Sequence, residues 1–241
     1  MQVSELIDAL EVEGAGLASA ADFAGWEASL PSCPDWCVRD LVAHVGEVHR
    51  WAAAIVGRAL SCPEDAEADV GTAPAAADLL DWYVDGHAAL VHTLRAAPED
   101  LDAWTFLAAP SPLAFWARRQ ALETAVHRVD GELATGAAAP IDSALASVGI
   151  EEMLTGFGRR RREFAPGVIR LEPSETTAWQ ITLGPQGAVS EPDPAGTPRD
   201  VTISGTTSDV YLWLWNRPSP VRIEGDEDVA RQWASVRVRW S

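Results

Sequence analysis

The chain has 241 residues and a net charge of −18, with 36 acidic residues against 18 basic ones, every one of them Arg. That balance excludes a nucleic-acid or anionic-membrane binder, because such a surface repels polyanions, and the lack of Lys excludes lysine Schiff-base catalysis. An apolar content of 47% suits a folded core, and the length suits one large domain or two small ones. No apolar run reaches the ~20 residues of a membrane span. Met1 to Leu17 carries Glu5, Asp8, Glu11 and Glu13 among its apolar residues, which is not a signal peptide, so the expected location is cytoplasmic. Three cysteines, Cys33, Cys37 and Cys62, form no disulfide framework and have no zinc-finger spacing. They read as reduced thiols.

The first half of the chain reads as helices. Leu6, Ile7, Leu10 and Leu17 set a helical stripe over 4–20. The loop Leu30 to Asp35 follows, and Asp35 is the expected N-cap of a helix starting at Trp36. Leu41, His44, Val48, Trp51 and Ile55 then recur at three- and four-residue steps as far as Arg58. Ser61 to Pro74 is acidic and rich in Pro and Gly, and predicts a loop. Helices are expected over 75–96, with Leu79, Leu80, Tyr83, Leu90 and Leu94 inward, and over 113–135, with Leu122, Val126, Val129 and Leu133. Four such helices predict a four-helix bundle.

A fifth helix is predicted over 141–164, and the Arg159–Arg162 run near its end suits the negative pole of the helix dipole. The pattern then changes. Val168 to Leu171, Trp179 to Leu183, Val201 to Ile203 and Val221 to Ile223 read as strands. Thr207 to Asn216 and Asp228 to Trp233 read as short helices. The expected division is a helical domain over 1–145 and an α+β domain over 146–241.

The chemistry-bearing residues lie on two of the helices. His44 sits within an apolar stripe, while Glu123 and His127 are four apart, so both project from one helix face. Burying two imidazoles and a carboxylate unsatisfied is costly, and a divalent metal satisfies all three with a coordination position left open. The competing readings are a hydrogen-bonded core histidine at 44 and a solvated Glu–His pair at a helix edge, and Arg118, Arg119 and Arg128 offer alternative partners for carboxylates. His49 lies about 140° round the helix from His44 and is not expected at the same site; His87 and His92 are read as structural or solvated. Trp36, Trp51, Trp82, Trp104 and Trp116 are candidates for pocket walls or for core.

Pro34 to Gly46 and Trp116 to Asp130 resemble the paired motifs of the mycothiol-dependent maleylpyruvate isomerase family. The resemblance spans nearly the full length. It implies a DinB-like four-helix domain followed by a small sterol-carrier-like α+β domain, with zinc held by His44, Glu123 and His127. Asp209 to Arg217 resembles a further family segment that usually reads Trp-Gly-Arg. There the resemblance makes Arg217 the catalytic arginine, with Asn216 in place of the usual glycine.

The resemblance also implies mycothiol, a small thiol of actinobacteria, as cofactor or co-substrate. A metal lowers a bound thiol's pKa, so the expected chemistry is thiolate attack on a small electrophile: isomerisation of a maleylpyruvate-like cis-enoic acid, or S-transfer. A zinc-hydroxide hydrolase with Asp130 or Asp40 as base, and a non-catalytic ligand binder, remain open at this point. Monomer is the expected oligomeric state.

Overall fold

A computed structural model describes residues 1–159, 163–193 and 198–236. The chain divides into two compact units, Met1–Ala139 and Pro140–Ser241. Among the described residues no helix is long and apolar enough to cross a membrane.

In the first unit α1 spans Val3–Ala24, β1 Ser29–Leu30, β2 Cys33–Cys37 and α2 Val38–Gly57. The short α3, Glu67–Val70, is followed by α4, Ala76–Ala96, and α5, Pro112–Leu133. Helices α1, α2, α4 and α5 form the bundle, and Leu17, Leu41, Val42, Val45, Leu79 and Tyr83 fill one part of its core. Three expectations fail here, the first being the loop over Leu30 to Asp35, most of which forms the β1–β2 hairpin. Ser61 to Pro74 is not all loop, since it holds a 3-10 turn at Pro63–Ala66 as well as α3. The second helix starts at Val38, not Trp36, because Asp35 and Trp36 are taken up by β2, where Ser29 faces Cys37. The helix start is instead held by Asp40, whose Oδ2 accepts from the Cys37 backbone N–H at 3.0 Å.

The helix α5 is buried almost without interruption from Leu113 to Gly131, on polar and apolar sides alike. Such a helix is stable only if its polar groups find partners inside. Most do: Arg119 pairs with Glu123, Arg128 with Glu13 and Glu132, and Thr124 Oγ1 lies 2.9 Å from His49 Nε2, while Gln120 Oε1 has no hydrogen-bond partner among the described residues. Ser111 caps the helix start, accepting from the Ala114 N–H, and Pro112 takes the first turn, where no N–H is needed.

The second unit opens with α6, Ser143–Thr155, capped by Asp142. It is shorter than predicted, stopping at Gly156, whose N–H bonds Glu152 O at 2.9 Å. Arg160 to Arg162, and with them most of the predicted arginine run, lie outside the described residues. Strands follow at Gly167–Pro173 (β3), Trp179–Gly184 (β4), Gly187–Pro192 (β5), Val201–Gly205 (β6) and Arg222–Gly225 (β7), with α7 at Thr207–Leu214 and α8 at Glu227–Gln232. The sheet order is β5-β4-β3-β6-β7, with β3 and β6 parallel and the other pairs antiparallel. Strand β5 has no clear alternation in its sequence and emerges only through pairing with β4. Gly225 ends β7 with φ +114°, and a Cβ there would lie 2.2 Å from Asp200 O.

Candidate metal centre

Helices α2 and α5 bring His44, Glu123 and His127 together. One ligand atom from each lies within 4.8 Å of the others, and among the described residues this is the one such group of three or more metal-ligating side chains. Glu123 Oε1 is the common point, 3.2 Å from His127 Nε2 and 3.8 Å from His44 Nε2. Four-coordinate zinc with bonds of ~2.0–2.2 Å holds its ligands about 3.3 Å apart, so the cluster needs only small side-chain shifts to close on an ion. His44 is the open edge, with its side chain 21% exposed against 5% for Glu123 and 11% for His127. That follows from its stripe: Leu41 and Ile55 are buried, while His44, Val48 and Trp51 are only half-buried.

The carboxylate has two distinct oxygens. Oε1 faces the imidazoles, and Oε2 accepts a 2.7 Å bond from Arg119 Nη2. Arg119 therefore does pair with the candidate ligand, yet it leaves the other oxygen for the histidines. Burial by itself pushes the Glu123 carboxyl up, but the Arg119 guanidinium and the His127 imidazole outweigh it and hold the group ionised, well below the usual range.

His127 is fixed from its other side. Its Nδ1–H donates to Asp130 Oδ2 at 3.0 Å, so Nε2 is the atom presented to Glu123. Burial lowers the imidazole's proton affinity, while the carboxylates of Asp130 and Glu123 raise it further, to a pKa of about 9. A carboxylate behind a ligating histidine is the usual outer partner of a metal site, since it sets tautomer and orientation. The donor set thus fits a divalent cation: two imidazoles whose Nε2 atoms approach one ionised oxygen. Adding the charges of a dication, Glu123, Asp130 and Arg119 leaves about +1, suited to an anionic fourth ligand.

Asp130 is fully buried and holds Ser32 as well as His127, and Asp40 is engaged with Cys37. His49 lies outside the cluster, fully buried against Thr124, and burial, reinforced by His87, pushes its pKa well below the usual range. His87 bonds Glu11 O and stacks on Tyr83, and His92 is exposed. Of the five tryptophans, Trp36 lies edge-on to His44, with ring centroids 5.1 Å apart. Trp51, Trp104 and Trp116 pack on one another, and Trp82 carries the Arg50 guanidinium.

In the second unit Arg217 follows the end of α7. Its N–H bonds Leu212 O and the Asn216 N–H bonds Trp213 O, both at 2.9 Å, which is a Schellman ending. Asn216 adopts φ +56°, the left-handed conformation that glycine takes most readily and Asn tolerates. Asn216 therefore makes a turn that glycine would make most readily, and it adds a 2.8 Å bond from Nδ2 to Val236 O. Arg217 Nη1 donates to Trp215 O at 3.0 Å. Asn216→Val is expected to lower stability by about 1–2 kcal/mol in chemical denaturation, since a β-branched residue resists this φ.

A helical bundle carrying a His–Glu–His cluster, followed by an α+β unit, defines a two-domain protein with a candidate metal centre. Residues 7–131 match the mycothiol maleylpyruvate isomerase N-terminal domain and residues 144–232 match the C-terminal domain of the same family. The chain belongs to that family. Its fold is similar to the crystal structure of the mycothiol-dependent maleylpyruvate isomerase, at 16% identity and a TM-score of 0.66, covering 94% of this chain and 95% of the other. A histidine-to-alanine mutant of that enzyme matches equally well, with 16% identity, the same coverage and a TM-score of 0.66. No curated protein sequence matches significantly.

Proposed function

We propose that the protein is a zinc-dependent enzyme that uses a small thiol, mycothiol, to act on a small electrophile. The observation that carries this reading is the convergence of His127 Nε2 and His44 Nε2 on one ionised oxygen of Glu123, at 3.2 and 3.8 Å. Family membership supports the thiol, because the related enzyme is named as mycothiol-dependent.

Zinc bound at this cluster would supply a Lewis-acidic position at which a thiol is held as its thiolate. The protein's own groups do the rest. Asp130 keeps the His127 Nδ1 proton, so that Nε2 is available as a donor. Arg119 fixes the plane of the Glu123 carboxylate and keeps it charged. The half-exposed edge at His44 is the side open to substrate.

A thiol held at this edge would supply reversible conjugate addition to a cis-enoic acid, the displaced electron pair resting on the conjugated carbonyl oxygen until it is returned as the trans double bond, with no net change of atoms or electrons. With an electrophile that carries a leaving group or an epoxide, the same thiol would supply S-transfer, the bonding pair departing with the leaving group or with the epoxide oxygen. Arg217 is proposed as the cation that steadies the substrate carboxylate or the developing oxyanion, on the strength of the family resemblance and the turn at Asn216. The engagement of Asp130 and Asp40 in hydrogen bonds favours the thiol over a hydrolytic reading.

Elemental analysis tests the metal. The wild type is expected to carry about one zinc per chain, and His44→Ala, Glu123→Ala and His127→Ala to carry little. Full metal content in all three variants refutes the assignment. Turnover of a cis-enoic acid or a reactive electrophile is expected only when mycothiol is added; equal turnover without it supports hydrolysis instead.

A further inference from the structure

The β1–β2 hairpin reaches the candidate ligands from outside the helices. Ser32, in the turn between the two strands, places Oγ 2.5 Å from Asp130 Oδ1. The other oxygen of the same carboxylate, Oδ2, lies 3.0 Å from His127 Nδ1. Trp36 on β2 packs against His44, and the His44 and His127 rings are 5.4 Å apart. The hairpin thus bears on both imidazoles, through a hydrogen-bonded chain on one side and a ring contact on the other.

The direction of each bond follows from chemistry. An ionised carboxylate only accepts, so the Ser32 hydroxyl and the His127 Nδ1–H both donate to Asp130. A carboxylate held at one oxygen can still swing about its terminal torsion, which is broad and soft. Holding the second oxygen fixes its plane, and with it the direction of the His127 Nδ1–H bond.

We propose that Ser32 is a positioning residue: its hydroxyl locks Asp130, which in turn aims Nε2 of His127 at the Glu123 oxygen that His44 also approaches. The inference rests on the metal reading only where affinity is measured, because the His127 Nδ1–H bond exists in the metal-free protein.

The test compares full-length wild type with Ser32→Ala, Ser32→Thr and Ser32→Val. Thr and Val have nearly the same shape and differ in the hydroxyl. Two quantities are read: the hydrogen-bonded Nδ1–H proton resonance of His127 in the metal-free protein, and the affinity for cobalt(II), followed by its visible absorption. Removing an outer partner of a metal ligand typically weakens binding 10–100-fold, and Ser32 stands one bond further out. The expected result is therefore about a tenfold loss of cobalt affinity in Ser32→Ala and Ser32→Val, with the resonance broadened by exchange with water. Ser32→Thr is expected to restore both.

A sharp Nδ1–H resonance in Ser32→Val overturns the proposal whatever the affinity does, since the hydroxyl then does not act through His127. Loss of the resonance in Thr and Val alike also overturns it, because backbone shape would be responsible. If wild type takes up no cobalt, the metal reading fails by itself, and the resonance alone decides the role of Ser32.

Discussion

Replacing Glu123 with alanine is expected to abolish metal binding and to destabilise the metal-free bundle by about 3 kcal/mol. Both effects come from one side chain with two occupied oxygens. Oε1 is the atom on which the imidazoles converge, and Oε2 is the 2.7 Å partner of Arg119, whose side chain is only 1% exposed. Removing the carboxylate takes the counter-charge away from a buried guanidinium and from a His127 that is cationic in the absence of metal. Such a loss is far larger than that of an exposed ion pair, because water cannot reach the site to compensate. Glu123→Gln keeps the shape and loses the charge. It should cost about 1–2 kcal/mol and still weaken metal binding by at least ~100-fold. Urea denaturation of chelator-treated protein, with metal titrations on the same samples, separates the two effects. An alanine variant as stable as wild type would show that the Arg119 bond contributes nothing to the fold.

Metal affinity is expected to rise steeply with pH, by about tenfold per unit up to about pH 9, hence ~1000-fold from pH 6 to pH 9. The cause is His127, whose imidazole pKa is raised to about 9 by Asp130 and Glu123 against the opposing effect of burial. A metal takes the neutral imidazole, so one proton must leave His127 for each ion bound below that pH. Glu123 is ionised throughout, since its carboxyl is held well below the usual range, and it adds no proton to the balance.

The metal-free protein behaves oppositely. A group whose pKa rises on folding stabilises the fold fully below its unfolded value, ~6.5 for His, and that contribution disappears as pH passes through about 9. Raising the pH therefore weakens the apo-protein while it strengthens metal binding. Calorimetric titration in two buffers of different ionisation enthalpy measures the proton directly. About one proton released at pH 7 is the expected result, and a flat affinity between pH 6 and pH 8 contradicts it.

Much of the bundle was legible from apolar periodicity. Leu10, Leu17, Leu41, Ile55, Leu79 and Leu90 end up buried, because a helix in a bundle must hide one face, while His44, Val48, Trp51 and Leu80 of the same stripes are half-buried. Periodicity was less useful for α5, where buried polar groups surround the helix. The stripe Leu122, Val126 and Val129 is real, but it is only part of a fully enclosed surface. The short hairpin was invisible. Pro31 and Pro34 interrupt any alternation, and β1 is two residues long. With it went Ser32, for which no local signal exists: the hydroxyl and its carboxylate partner are 98 positions apart.

Asp130 illustrates the same limit from the other direction. It shares a helix with His127, three residues on, so their proximity was readable. Its spacing is equally compatible with a base facing water and with a buried anchor behind the imidazole, and its burial decided between them.

What the sequence determined by itself was local: which residues are capable ligands, and that Glu123 and His127 stand one helical turn apart on one face, because the α-helix repeat is the same in every protein. The tertiary structure decided the rest. The approach of His44 to within 3.8 Å of Glu123, the Arg119 contact on the far oxygen and the anchoring of Asp130 by Ser32 depend on how α2, α5 and the hairpin are rotated and packed. Those rotations come from the fit of many side chains at once, which no single spacing encodes.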